Sequence, residues 1–600
     1  MKYFTFLSSL ILCLFLISCD KKKPEEPVVD DPIVEEPKTF TITFYDSDTI
    51  LELDLNSYTE GEEVLLPEAT KDGMIFNGWH TDKDLYSNKV IKINKDDTGD
   101  KVFYASFSNY PSLFLSFNHS TEVEYLREID PKVEYILPIP ERSGYHFSGW
   151  YNNSSFLGDP IEAIPEGNME NHFLHAKWVV DHRLLDQAML ELSKNVIERN
   201  VTLPEELYHF ELSWSSTDNI IDNKGTLRRP YDPQTFTLTA LIKDDTQETE
   251  VSYELQVAGY KSLEAPIASG YILRNYHTVN DTFFQTLDIV NTAFAIAEAN
   301  GKFQASSYFG NVEFQIMPKA KELGVRVLMS VGPGTKWSDF SRTQEGLNTF
   351  ANSIVDAINR YGFDGVDIDW ETPSPGEVNQ FIALIKLVYE RVKENNPKHL
   401  VTAAIAGGKW QPDNYNLNVS KQYLDYINMM TYDMSNNGGN YQGPLYPNNT
   451  FHDPVNRVGK TYDSCSIEES IEIYNNEYGV PNSKILIGIP FYGRMQTRTY
   501  NESTNTYGPW NPAGSIGYHY IEDTKLNNPD LYTVKYDDRT KAAYIINKDG
   551  TEFISYDNPR SIRDKASYVF QEGLAGMMYW EHYHDGNYKL LSALKMYLRK

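Results

Sequence analysis

Eight short apolar runs in the C-terminal part of this chain constrain its fold more than any other feature. They fall at Ser269–Leu273, Ile289–Ile296, Val325–Val331, Gly365–Trp370, Val401–Ile405, Tyr426–Thr431, Ile485–Phe491 and Leu574–Trp580. Runs of this length, set apart by turn and helix patterns, read as buried strands. The interval before the fourth run shows the repeating unit. Residues 344–361 place Leu347, Phe350, Ile354, Val355 and Ile358 at helical spacing, and Gly362 follows as a stop. A helix, a glycine and then a buried strand make the α/β unit of a parallel sheet, and eight such strands are the number that closes a (β/α)8 barrel. The expected fold class is therefore an α/β TIM barrel with a small α+β insertion, preceded by all-β accessory modules.

In such barrels the chemistry sits where the strands end. Ser330-Val331-Gly332-Pro333-Gly334, Tyr432-Asp433, Tyr492-Gly493-Arg494 and Trp580-Glu581 close or follow four of the runs. The fourth run reads Asp364-Gly365-Val366-Asp367-Ile368-Asp369-Trp370-Glu371. Alternate side chains of a strand share a face, so Asp367, Asp369 and Glu371 fall on one side and Val366, Ile368 and Trp370 on the other. Three carboxylates so placed fit a solvated edge or a set of oxygen ligands for a hard cation. They equally fit an acid site, in which crowding keeps one carboxyl protonated at neutral pH, as a general acid must be. The last reading makes Glu371, at the strand end, the acid.

Taken together, these residues resemble glycoside hydrolase family 18, the family of chitinases and of some endo-β-N-acetylglucosaminidases. Asp364-Gly365-x-Asp367-x-Asp369-x-Glu371 is similar to its signature, Met430-Thr431-Tyr432-Asp433 to its sixth-strand segment, Gly488-Ile489-Pro490-Phe491-Tyr492-Gly493-Arg494 to its seventh and Gly576-Met577-Met578-Tyr579-Trp580 to its eighth. The resemblance covers residues 262 to 600. It implies that Glu371 protonates the glycosidic oxygen and later acts as base, and that Asp369 pairs with it and then orients the substrate's acetamido group. Asp367 would sit deeper and tune Asp369, and Tyr432 would donate a hydrogen bond to the acetamide oxygen. Asp433 and Arg494 would hold the sugar or the carboxylate network, and Trp580 would form the floor of the site. The family is a substrate-assisted exception among retaining glycosidases, so the substrate's own acetamido oxygen replaces a second enzymic carboxylate as nucleophile.

Trp337, Trp410 and Trp510 lie in stretches rich in Gly, Pro and Asn, where an exposed indole face would stack on a sugar ring. For each, ordinary packing is the alternative, and Trp337 and Trp410 are the candidate substrate contacts. Two departures from the family pattern bear on the outer cleft. Pro333 stands where the family usually has a second glycine and stiffens that loop, which redirects Trp337. Thr372-Pro373 follows Glu371 where the family often carries Tyr-Pro. The insertion, placed at about 495–552, reads as short strands with turns, and residues 434–466 form a second long loop on the same mouth.

The N-terminal part carries other signals. Lys2 precedes an apolar run from Tyr3 to Ile17 that is too short to span a membrane comfortably and ends in Leu16-Ile17-Ser18-Cys19. This resembles a bacterial lipoprotein signal and implies lipidation of Cys19 and export to the extracellular face of a bacterial cell, as a membrane-anchored lipoprotein. An ordinary signal peptide with an incidental cysteine is the alternative. Residues 19–38 read as a charged, proline-rich linker. Gly73–Trp79 recurs as Gly144–Trp150 at an offset of 71 residues, giving two β-rich modules at 39–109 and 110–179 that resemble Listeria–Bacteroides surface repeats. Their Trp79 and Trp150 read as module core. Residues 180–258 combine a helical start with alternating strands and resemble an immunoglobulin-like β-sandwich spacer.

The net charge of −30 disfavours a nucleic-acid partner and adhesion to anionic lipid by charge alone, and is compatible with a neutral polysaccharide. No spaced Cys/His set for zinc and no phosphate-cradling glycine loop appears, so neither metal nor cofactor is expected. The expectation is a monomeric, surface-anchored hydrolase of chitin or another N-acetylglucosamine-containing glycan. The alternatives are cleavage of N-glycan chitobiose cores and, more distantly, non-catalytic carbohydrate binding.

Overall fold

The computed structural model describes residues 38–118, 125–244, 247–264, 266–273, 279–408, 412–434, 441–447 and 466–599. The signal segment, nearly all of the linker, Cys19, Cys465, Trp410 and most of the loop 434–466 lie outside the described residues. The chain divides into two units, the boundary falling between Asp181 and His182 in the sequence.

Within the first unit the two repeats fold alike. Thr39–Asp46 runs parallel to Lys101–Ser108, which pairs antiparallel with Ile75–His80. In the second copy Ser112–Ser116 runs parallel to His172–Val180, which pairs antiparallel with Tyr145–Tyr151. Trp79 and Trp150 are fully buried, and each indole N–H donates to a proline carbonyl, Pro67 at 2.8 Å and Pro138 at 2.7 Å. Both are module core, and the 71-residue register holds down to a single hydrogen bond.

The second unit begins with a module that corrects the sandwich expectation. Helix Arg183–Ser193 accompanies one antiparallel meander of Glu206–Leu207, Phe210–Ser216, Gln234–Lys243 and Glu248–Val257, and no second facing sheet exists among the described residues. Alternation in a strand reports one buried face, and a helix covers such a face as well as a sheet does.

The barrel follows. Its strands are β1 (Ile267–Leu273), β2 (Ile289–Ala295), β3 (Arg326–Val331), β4 (Gly365–Ile368), β5 (Leu400–Ala406), β6 (Tyr426–Met430), β7 (Ile485–Pro490) and β8 (Gly576–Trp580). Each pairs in parallel with the next, and β8 returns to β1 with Tyr579 opposite Gly270. All eight apolar runs are strands of this closed barrel. Helix Gln344–Tyr361 is capped by Thr343, whose side chain accepts from Gly346 N at 3.1 Å, and ends at Gly362 with φ 78°. That left-handed turn is open to glycine at little cost and feeds the chain directly into β4.

The meander module joins the barrel at the end where the strands begin. Asp364, fully buried, accepts from Tyr231 Oη at 2.7 Å, Lys321 Nζ at 2.7 Å and Val327 N at 2.9 Å. Arg229 donates to the Glu322 carbonyl, and Arg326 lies over the rings of Tyr231 and Tyr260. At the opposite end, the insertion after β7 is larger than the expected 495–552. It is a five-stranded antiparallel sheet in the order Asn511–Gly517, Tyr492–Thr497, Glu552–Tyr556, Ala542–Asn547, Tyr532–Asp537.

Candidate active site

The strand β4 places its carboxylates as alternation requires. Val366, Ile368 and Trp370 join the apolar cluster that includes the helix residues Leu347, Phe350 and Ile354, while Asp367 turns into the barrel. Asp367 is fully buried and accepts four hydrogen bonds from four other strands. Tyr271 Oη (2.8 Å, β1) and Ser330 Oγ (2.7 Å, β3) reach Oδ2, and Thr402 Oγ1 (2.6 Å, β5) and Asn428 Nδ2 (3.0 Å, β6) reach Oδ1. Burial pushes this carboxyl up and the four donors oppose it.

Asp369 is 3% exposed, and its Oδ1 has no hydrogen-bond partner. Burial, then the charge of Glu371, then that of Asp367 hold its carboxyl well above the usual carboxylate range. Glu371 opens onto the mouth. Its carboxyl is raised by the surrounding protein and by Asp433, and is opposed by a hydrogen bond with Asp369. Two carboxyls that hydrogen-bond to one another need a proton between them, and neither burial nor repulsion favours a second charge. The pair therefore holds a proton more tightly than two separate carboxyls would. A wet edge is excluded by the burial of Asp367 and Asp369. Among the described residues, no cluster of three or more acidic, His or Cys side chains is arranged to hold a metal.

The strand ends bring the remaining candidates together. Tyr432, half-buried, lies close enough to Tyr492, Asp369, Glu371 and Asp433 for their charges to add to burial in raising its phenol, so it stays a donor. Asp433 sits in the left-handed region at φ 59° and is gripped by Arg494, whose Nε donates to Oδ1 at 2.5 Å and whose Nη2 donates to Oδ2. Tyr492 hydrogen-bonds to both. Trp580 is half-buried, its ring stacked on Phe294 at 5.6 Å and tilted against Tyr271 at 5.5 Å.

Two sequence-derived contacts fare differently. Trp337 was expected to offer an open face, but it is 7% exposed in the short helix Trp337–Phe340, stacked on Trp370 at 5.2 Å and 6°. It packs behind β4, because an indole beside the rings of Phe340, Phe350 and Trp370 gains more from burial than from solvent. Trp410 lies outside the described residues. Trp510 belongs to the insertion, packed on Phe553 at 5.7 Å with the Arg498 guanidinium 4.3 Å from its ring centre.

Several site residues received no role from the sequence, although Ser330 stands in one of the strand-end clusters. Tyr271, Ser330, Thr402 and Asn428 are polar residues at inward positions of otherwise apolar strands, and that pattern was the available signal. Phe294 had none. Its ring fits because residue 332 is glycine, where a Cβ would stand 2.3 Å from the ring.

Comparison with known proteins places residues 268–585 in the family model "Glycosyl hydrolases family 18", and residues 40–106 and 117–177 in the Listeria–Bacteroides repeat domain. Chitinase A1 of Niallia circulans is 29% identical over 316 residues, covering 48% of this chain and 44% of that protein. Chitinase 1 of Aphanocladium album is 32% identical over 288 residues, covering 46% of this chain and 65% of that protein. The match thus spans less than two thirds of either relative. A solved family 18 N-acetylglucosaminidase from Paenibacillus barengoltzii is 27% identical with a TM-score of 0.47, covering 55% of this chain and 99% of that one.

Proposed function

The chain belongs to the glycosyl hydrolases of family 18, and on that premise we propose that it hydrolyses β-1,4 bonds of chitin or chitooligosaccharides with retention, the substrate's acetamido oxygen acting as nucleophile. The observation that carries the reading is the proton-sharing pair of Asp369 and Glu371 at the barrel mouth, backed by the caged Asp367. Glu371, the more open member, protonates the leaving oxygen. Asp369 has a buried oxygen without a partner. In this reading it turns from Glu371 to the acetamide N–H and aligns the amide for attack. Tyr432 donates to the acetamide oxygen as positive charge develops on the oxazolinium, and the fixed charge of Asp367 steadies that state through Asp369. Trp580 lies beneath the reacting sugar. The names of the two relatives, both chitinases, support the substrate class.

Glu371→Gln tests the assignment. Hydrolysis of chitooligosaccharides falls by about three orders of magnitude while binding persists, and undiminished turnover sinks the reading. Product trapped at once is the β-anomer. Parallel assay on chitin oligomers and an N-glycosylated protein decides between chitin and the chitobiose core of N-glycans, since one apparatus serves both. The surface anchor at Cys19 belongs to the same proposal. Incorporation of labelled fatty acid that disappears in Cys19→Ala supports it, and unchanged labelling rejects it.

A further inference from the structure

We propose that Gln442 is a positioning residue for the catalytic mouth, fastening the loop that carries Tyr432 and Asp433 to the insertion strand that carries Arg494. The inference rests on the catalytic reading above.

Asp433 and Arg494 come from different elements. Their side chains are each 38% exposed, and an ion pair that open to solvent fixes little by itself. Their separation has to be set by something more rigid. Gln442 is 1% exposed and makes three hydrogen bonds that bracket both partners. Its main-chain N–H donates to Ser555 Oγ at 2.9 Å, and Ser555 stands directly opposite Arg494 in the sheet. Its side-chain Nε2 donates to the carbonyl of Tyr492 at 2.6 Å, two residues before Arg494 on the same strand. Its own carbonyl accepts from the N–H of Met434, the residue after Asp433, at 2.9 Å. The next residue continues the close approach, since a Cβ on Gly443 would stand 2.7 Å from the Thr431 carbonyl and 3.7 Å from Tyr432 Cα.

The amide is held for its donor, because Oε1 is buried without a partner. A side chain serving only to fill space would not carry that unpaired acceptor. The fastening reaches the acid through charge. Glu371 is faced by Asp369 from just past the end of β4, by Tyr432 and Asp433 from the loop after β6 and by Tyr415 from the helix Pro412–Tyr415, with Arg494 shielding Asp433. When the loop and the strand drift apart, Arg494 shields Asp433 less. The pair of Asp369 and Glu371 then keeps its proton to higher pH, and the sugar contacts of Tyr432 loosen.

Gln442→Met keeps the length of the side chain and removes the donor. On the full chain with chitotetraose as substrate, the expected result is a KM raised about tenfold and an alkaline limb of kcat/KM moved about half a unit to higher pH. Ser555→Ala, which removes the second fastening, moves both in the same direction and serves if Gln442→Met does not fold. Wild-type KM and an unmoved limb, with only a lower melting temperature, would reduce Gln442 to a structural staple and overturn the inference. A crystal structure of Gln442→Met with both Asp433–Arg494 contacts intact overturns it independently of turnover. Failure of the wild-type chain to cleave any N-acetylglucosamine polymer is instead a failure of the catalytic reading.

Discussion

Asp367 shows how much of this site depends on single polar atoms. Its four donors come from β1, β3, β5 and β6, so a carboxylate that would be costly in an apolar barrel is held by side chains that a hydropathy profile counts as interruptions. Glu581 has fewer helpers. It is 4% exposed and accepts from the N–H groups of Tyr583 and Leu273, yet burial pushes it up to about 7. An acid whose folded value lies above its ordinary value binds more protons when folded. Its contribution to stability is therefore greatest below the ordinary carboxylate range and is lost as pH rises through about 7. Glu581→Gln removes that slope, so in denaturant melts the variant gains on the wild type by up to ~3 kcal/mol between pH 4 and pH 8. Parallel curves for the two proteins would show that Glu581 ionises freely. The ladder of Asp367, Asp369 and Glu371 was legible in the sequence because a strand has a period of two. The donors around Asp367 were not, since each lies on a different strand and only closure of the barrel brings them together.

At the scale of elements, the eight strands and the helix Gln344–Tyr361 were readable because periodicity, a cap and a stop agree on them. The sandwich and Trp337 failed for a common reason. Alternation and a glycine-rich context say that a face is covered or a loop turns, but not what covers the face or where the ring goes. The insertion was underestimated because its first strand, Tyr492–Thr497, continues from β7 with only Phe491 between them. Gly332 illustrates an element-scale dependence that a motif conceals. Gly332→Ala drives a methyl into the ring of Phe294, on which Trp580 is stacked. The expected result is a several-fold rise in KM for oligosaccharides with a smaller change in kcat, as misplacement of a binding surface gives. An unchanged KM would show that the floor does not lean on Phe294.

For the molecule as a whole, the joint between the meander module and the barrel matters most. Asp364 belongs to the signature octapeptide yet lies at the far end of β4 from Glu371, where Tyr231 of the module shares it with Lys321. Tyr231→Phe removes one hydrogen bond to a buried carboxylate and lowers stability by ~1–2 kcal/mol, read as a lower melting temperature with kcat unchanged. A fall in kcat at equal stability would mean that the joint communicates with the mouth. The placement also has a mechanical consequence. A pull applied to the chain at residue 182 enters the barrel where its strands start and is borne by the contacts of Arg229, Tyr231 and Asp364. Tension applied there therefore loads the contact of Tyr231 with Asp364, at the far end of β4 from Glu371.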